Sequence, residues 1–194
     1  INIKMIQIVD DFFEKEELKK IQGYVKKGLP YIPRYFGKEL VRNKETYYGM
    51  RFSLKHDKDL ADILCRQAEK KFNIKIDVID PDSGIDMRNL DTLKPHTDPA
   101  AANVLLMIDG PVAVTNGTVF YTKRKDEDMK DLDIHIGFQP NRAVFFPSDM
   151  THAANVSPVK DMRRYTCTLF LWQYTDQWGK KYYYDRDKEC LTIK

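Results

Sequence analysis

The sequence has no long hydrophobic run, little net charge and few cysteines. A helix that spans a bilayer needs roughly 20 apolar residues in a row, and no such run occurs. The start of the sequence also lacks the basic, apolar and small-residue regions of a signal peptide. A net charge of +3, from 32 basic and 29 acidic residues, gives no strong attraction to nucleic acid or to a membrane surface. The three cysteines (Cys65, Cys167 and Cys190) have no metal-type spacing, which favours a reducing compartment. We therefore expect a soluble, cytoplasmic protein.

The apolar residues that are present, 42% of 194, suffice for the core of one domain. In the first third of the chain, Asp10 and Asp11 are expected to cap a helix, and a second helix is expected to begin near Asp57. The residues predicted to be buried on these helices are Leu18, Ile21 and Val25 on the first, and Leu60, Ile63, Leu64, Ala68 and Phe72 on the second.

After residue 75 the pattern changes to short apolar strands separated by turn residues. Predicted strands cover residues 76–79, 85–89, 103–108, 118–122, 133–138, 143–146 and 164–174, with a turn at Asn116-Gly117 among others. We expect an α+β, mainly β fold, in which a double-stranded β-helix (jelly roll) is backed by N-terminal helices. Residues 1–194 would form one domain, with helical support in 1–74 and the jelly-roll core in 75–194.

Three side chains have the pattern of a metal site. His96 and Asp98 are two apart, so in an extended segment they project from the same face. His152 can complete a three-point set. Two histidines and one carboxylate on one face, with other positions open, are typical of non-haem Fe(II) oxygenases.

An arginine near the end of the chain suits a carboxylate ligand. In a strand, Arg164, Thr166 and Thr168 share one face, and Arg163 lies on the other. A guanidinium offers a planar, bidentate fork to a carboxylate, and a threonine hydroxyl can donate to the same oxygens. We expect Arg164 to face inward and Arg163 to face solvent.

Several motifs in order resemble the 2-oxoglutarate/Fe(II)-dependent oxygenases, most closely the prolyl-4-hydroxylase-like branch. The quoted segments are Ile8-Val9-Asp10-Asp11-Phe12-Phe13, Lys94-Pro95-His96-Thr97-Asp98, Asn116-Gly117-Thr118, Asn141 to Ser148 followed by His152, Val156-Ser157-Pro158-Val159, Arg164-Tyr165-Thr166 and Leu169-Phe170-Leu171-Trp172. The resemblance spans most of the chain and is weak only between residues 29 and 73.

The resemblance implies an enzyme that couples hydroxylation of a substrate to the conversion of 2-oxoglutarate and O2 into succinate and carbon dioxide. His96, Asp98 and His152 would hold the Fe(II), and Arg164 would bind the distal carboxylate of 2-oxoglutarate, with ascorbate as a candidate additional cofactor. The prolyl-4-hydroxylase-like branch often has a tyrosine whose hydroxyl assists cosubstrate binding where Met107 stands here, with Tyr121 and Asn103 as candidate replacements.

The substrate would be a peptidyl side chain such as proline, or a small metabolite, selected by loops at residues 29–46, 99–102 and 123–132. Two other readings are open. One is a jelly-roll domain that binds a partner without catalysis. The other is an oxygenase that repairs alkylated nucleic acid, which the low net charge and Phe170 in place of a second arginine disfavour. His56 and His135 are expected to be structural or solvent-facing.

Overall fold

The computed structural model describes residues 5–35, 47–88, 95–123, 130–155 and 163–194. Its two helices are α1 (Lys15–Lys27) and α2 (Lys58–Phe72), and a 3₁₀ turn (Leu54–His56) precedes α2. The strands, numbered in chain order, are β1 (Gln7–Val9), β2 (Ile32–Tyr35), β3 (Tyr47–Ser53), β4 (Lys75–Ile79), β5 (Gly84–Arg88), β6 (Ala102–Asp109), β7 (Ala113–Lys123), β8 (Lys130–Phe138), β9 (Arg142–Pro147), β10 (His152–Asn155), β11 (Arg164–Thr175), β12 (Lys181–Asp185) and β13 (Cys190–Ile193).

Helix α1 begins later than the sequence predicted. Its N-cap residue is Glu14, which makes no side-chain capping bond. The prediction that Asp10 or Asp11 caps this helix is wrong, because the carboxylate of Asp10 is bound by Arg142. Asp11 has a φ of 53°, which turns the chain before the helix starts.

Helix α2 begins as predicted. The side chain of Asp57 accepts a hydrogen bond from the backbone N–H of Leu60, so Asp57 is the N-cap. The helix ends at Asn73, which adopts the left-handed conformation (φ 52°) that asparagine tolerates. Leu60, Ala61, Leu64, Ala68 and Phe72 are the buried residues of this helix, and Ile63 is half-buried.

Ten of the described strands form one antiparallel sheet, which we call the large sheet. Its strands run in the order β1-β9-β6-β11-β5-β3-β2, with β4 and β12 on the far half of β11 and β13 paired to β12. Strand β11 lies between β5 and β6, so its early residues are at the centre of the sheet. Strands β1 and β3, from the first third of the chain, therefore belong to the same sheet as the later strands.

Three described strands form the small sheet, in the order β10-β7-β8. The predicted turn at Asn116-Gly117 is wrong, because both residues lie within β7. The pairing of β7 with β8 shifts register between Ala113 and Gly117, and Gly117 has a φ of 153°. A Cβ on Gly117 would collide with the carbonyl of Ile136, so the glycine allows a bulge rather than a turn.

The two faces of the large sheet are covered differently. The helices pack on its outer face, where the main core includes Val25, Leu64, Phe72, Val104, Leu106, Phe145, Cys167 and Leu169. The small sheet packs on the inner face through a second cluster formed by Met107, Phe120, Ile136, Phe138, Val144 and Phe146. The expectation of a mainly β fold with two supporting helices is confirmed, and the inner face is where the candidate site lies.

The sequence predictions and the described structure do not cover all the same elements. Strands β2 and β10 and the hairpin of β12 and β13 were not predicted. Residues 36–46 and 124–129 of the predicted substrate loops, and residues 156–159 of the quoted motifs, lie outside the described residues. Within the described part of the chain, neither helix has the length and apolar character needed to cross a membrane.

Candidate metal centre

Backbone pairing brings the two predicted histidine ligands side by side. His96 and His152 form an isolated antiparallel bridge, in which each backbone N–H donates to the other residue's carbonyl at 2.9 and 2.8 Å. Residues that exchange both hydrogen bonds in this way lie directly opposite each other. Their ring centroids are accordingly 4.6 Å apart.

Asp98 joins this pair from two residues beyond His96. Its backbone N–H donates to the carbonyl of Ser148, which ties the segment to the end of β9. Its carboxylate oxygens lie 3.1 Å from Nε2 of His152 and 3.6 Å from Nε2 of His96. One donor atom from each of the three residues lies within 4.8 Å of the others, so this group could hold a metal ion.

The groups behind the ligands support a metal rather than a simple ion pair. Nδ1 of His152 lies 2.9 Å from the carbonyl oxygen of Met150. A carbonyl oxygen only accepts, so Nδ1 of His152 carries a proton, and Nε2 is the nitrogen that faces Asp98. A ligand histidine held through its other nitrogen is the usual arrangement in protein metal sites.

Asn103, at the start of β6, is the second supporting residue. It is fully buried, and its Nδ2 donates to Oδ2 of Asp98 at 2.7 Å. Within the described residues no group donates to its buried Oδ1. A water bound to a metal at this centre is the type of donor that would satisfy such an oxygen. The sequence suggested Asn103 only as a replacement for a cosubstrate tyrosine, and its contact with Asp98 was not predicted.

The electrostatics of the centre favour an ionised carboxylate. Burial raises the pKa of Asp98, but hydrogen bonds from His152 and Asn103 and the charges of both histidines outweigh it. The pKa of Asp98 is therefore below its ordinary value. A carboxylate that stays ionised at neutral pH is the form that binds a divalent cation.

The centre is apolar on one side and open on the other. Phe146 packs edge-on against the ring of His152 with a centroid distance of 4.9 Å, and Phe120 lies 6.1 Å away. Both phenylalanines are almost fully buried. The side chain of His96 is 39% exposed, so a ligand can approach from that side.

Arg164, Thr166 and Thr168 lie on the inner face of the large sheet. Arg164 is 5% exposed and Thr166 is also buried, whereas Arg163 is exposed. Thr168 is half-buried and is paired with Leu105 of β6. Farther along the same face of β11, Phe170 is opposite Asn103, so this face leads from Arg164 toward the metal centre.

Comparison with solved structures identifies relatives in fold. One is SnoN, a non-haem alpha-ketoglutarate-dependent epimerase of nogalamycin biosynthesis, in complex with Fe3+, alpha-ketoglutarate and nogalamycin RO. It is 7% identical to this chain, and the match covers 90% of this chain and 82% of SnoN (TM-score 0.59). SnoK, a carbocyclase of the same biosynthesis, is 9% identical, with 91% and 83% covered (TM-score 0.59). HygX of Streptomyces hygroscopicus, with nickel and 2-oxoglutarate bound, is 6% identical, with 86% and 83% covered (TM-score 0.58).

These neighbours and the chain share a fold. No family model matches the sequence, and no curated protein matches it. These three structures are of non-haem, alpha-ketoglutarate-dependent proteins or carry a metal with 2-oxoglutarate. At such low identity the likeness extends to the architecture, and residue roles have to be argued from this chain.

A cavity of about 330 Å³ lies next to Asp98. One wall is formed by residues 97–100 and Ser148, and the other by Tyr184 and residues 189–191 of the β12–β13 hairpin. Of the predicted substrate loop at 99–102, Pro99 and Ala100 line this cavity, whereas Ala101 and Ala102 are fully buried. The contribution of the hairpin was not predicted, because its strands carry no signal that links them to the metal ligands.

The remaining sequence candidates lie away from the centre or have another role. His56 and His135 are exposed. Met107 is buried opposite Thr166, and its sulfur accepts a hydrogen bond from the backbone N–H of Gln139. Tyr121 is half-buried in β7.

Proposed function

We propose that this chain is a 2-oxoglutarate-dependent Fe(II) dioxygenase. The observation that carries the proposal is the convergence of His96, Asp98 and His152, backed by Asn103 and the Met150 carbonyl, on the face that also holds buried Arg164. Two imidazoles and one carboxylate with open positions are the ligand set of non-haem iron oxygenases. The pairing of the early strands β1 and β3 with later strands supports treating residues 1–194 as one domain with a double-stranded β-helix core.

Each residue of the centre has a defined task in this proposal. Fe(II), when bound, would supply the reaction of O2 that couples decarboxylation of 2-oxoglutarate to oxidation of the substrate. The Met150 carbonyl keeps the proton on Nδ1 of His152, so that Nε2 stays free to coordinate. Asn103 fixes the orientation of Asp98. Phe120 and Phe146 exclude water from one side of His152.

Arg164 would bind the far carboxylate of 2-oxoglutarate, with Thr166 and Thr168 as neighbouring hydroxyl donors. Burial, and then the charge of Arg88, lowers the pKa of Arg164 to about 9, while Asp86 acts in the opposite direction. The guanidinium is thus still charged at neutral pH, and a charged hydrogen bond in a buried site is stronger than one in water.

The substrate is proposed at the level of class. The motif order predicts a peptidyl side chain such as proline, as in the prolyl-4-hydroxylase-like branch, and a small metabolite is the second candidate. Nogalamycin RO in the SnoN structure makes small molecules a reasonable first panel to test. A cytoplasmic location is a further proposal, supported by three free thiols.

Anaerobic titration of the Fe(II)-loaded protein with 2-oxoglutarate tests the function. We expect the weak visible charge-transfer band of a chelated 2-oxo acid, and we expect it to be lost in Asp98→Ala and His152→Ala. His135→Ala, which removes an exposed imidazole, is the matched control and should retain the band. Normal iron binding without a band in the wild-type protein would contradict the proposal and favour the non-enzymatic binding domain.

A further inference from the structure

Two arginines lie directly opposite each other on the inner face of the large sheet. Arg88 of β5 is the register partner of Arg164 of β11. The side chain of Arg88 is 12% exposed, and Arg164 is 5% exposed. Directly opposed residues of an antiparallel pair have Cβ atoms about 4.5–5.5 Å apart, so these two side chains start as close neighbours.

Two guanidiniums placed in this way concentrate positive charge on one part of the inner face. Like charges directly opposite each other destabilise a sheet, and burial of each guanidinium adds a desolvation cost. The effect is visible at Arg164, where burial and then the charge of Arg88 lower the pKa. A carboxylate between the two guanidiniums would make a charge-assisted contact with each of them.

Asp86 contacts both Arg51 and Arg88 on this face. Its Oδ2 lies 2.9 Å from Nη1 of Arg51 and 3.4 Å from Nη2 of Arg88. Arg51 also donates to the backbone carbonyl of Asp82 and lies over the ring of Phe170. Because a guanidinium has five N–H donors, the contact of Arg88 with Asp86 is compatible with a bound carboxylate as well.

Strand β11 has a neighbouring strand on each side, and each neighbour places one residue next to the proposed position of the cosubstrate carboxylate. On one side of β11 is Met107, opposite Thr166, and its thioether has no hydrogen to donate. On the other side is Arg88. The donor that Met107 cannot supply is therefore available from the neighbouring strand.

We propose that Arg88 and Arg164 together bind the distal carboxylate of the cosubstrate, so that Arg88 is a second binding residue that selects a 2-oxo dicarboxylate over a 2-oxo monocarboxylate. This inference rests on the proposed function.

Calorimetric titration of the Zn2+-loaded protein tests this pairing without turnover. The probes are 2-oxoglutarate and 2-oxobutyrate, which keeps the 2-oxo acid but lacks the distal carboxylate. Arg88→Gln should weaken 2-oxoglutarate binding by about 10- to 100-fold, the cost of one hydrogen bond between charged groups. Binding of 2-oxobutyrate should stay within about twofold. Arg88→Lys, which keeps the charge and loses the fork, should fall between the two.

Arg163→Gln is the matched control, because it removes an equal charge from an exposed position on the same strand. It should change neither affinity. The inference is overturned if Arg88→Gln binds 2-oxoglutarate as the wild-type protein does, or if both ligands weaken equally, which would indicate a general effect on the fold. Neither of those results affects the proposed function. Failure of the wild-type, Zn2+-loaded protein to bind 2-oxoglutarate at all would overturn both.

Discussion

Replacing Asn103 with alanine should weaken metal binding although Asn103 is not itself a ligand. The change removes the 2.7 Å hydrogen bond from Nδ2 to Asp98 in a fully buried position. A hydrogen bond to a charged group is worth about 1.5–3 kcal/mol, which corresponds to roughly 10- to 150-fold in an equilibrium constant. Loss of a group that orients a metal ligand typically costs about 10- to 100-fold in metal affinity. We expect a loss within this range.

The measurement is a competition between the protein and a chromophoric chelator for Zn2+ at fixed pH. Leu105→Ala is the matched control, because Leu105 lies two residues along the same strand and face and touches the second core cluster. Both variants should unfold at a lower temperature than the wild-type protein without metal, since each loses buried atoms. Only Asn103→Ala should lose metal affinity. Equal affinity in the two variants would refute the role assigned to Asn103.

Three further predictions concern stability and reactivity. Asn141 has a φ of 71°, and its side chain is hydrogen-bonded to both the backbone N–H and the carbonyl of Phe13. In urea unfolding, Asn141→Ala should lower the free energy of unfolding by about 3–4 kcal/mol, and Asn141→Gly should lower it by about 1 kcal/mol less. Equal losses in the two variants would argue against strain in the left-handed conformation. The hydrogen bond from Arg142 lowers the pKa of Asp10. The ion pair should therefore stabilise the fold above the unfolded-state pKa near 4, and this stabilisation should be lost as pH falls through the folded-state pKa. Asp10→Asn should reduce the fall of stability at acid pH, and an unchanged pH dependence would refute this linkage. Burial raises the pKa of the Cys167 thiol, so a thiol reagent should modify exposed Cys190 but not Cys167 in the native protein.

The local parts of the candidate site could be predicted from the sequence. His96 and Asp98 are two residues apart, and strand alternation alone places them on one face. The same argument separates buried Arg164 from exposed Arg163. The cap of α2 at Asp57 needs only the three residues that follow it. In each case the information lies within a few positions of the chain.

The remaining parts depend on partners that are distant in sequence. Aspartate often caps a helix, but the carboxylate of Asp10 is bound by Arg142, and α1 starts later in the chain. The opposition of Arg88 and Arg164 follows from a strand register, which the alternation within each strand does not specify. The bulge at Gly117 has the same origin, since it depends on the carbonyl of a residue in β8.

The central position of β11 has a consequence for how the protein acquires its site during synthesis. Strands β5 and β6 follow each other near the middle of the chain, but β11 lies between them in the large sheet. The middle of that sheet thus stays open until the segment beginning at Arg164 has left the ribosome. Pairings between such distant residues are slow to form and leave apolar edges exposed meanwhile. His96 and Asp98 are therefore synthesised well before β11, which carries Arg164, can complete the sheet next to them.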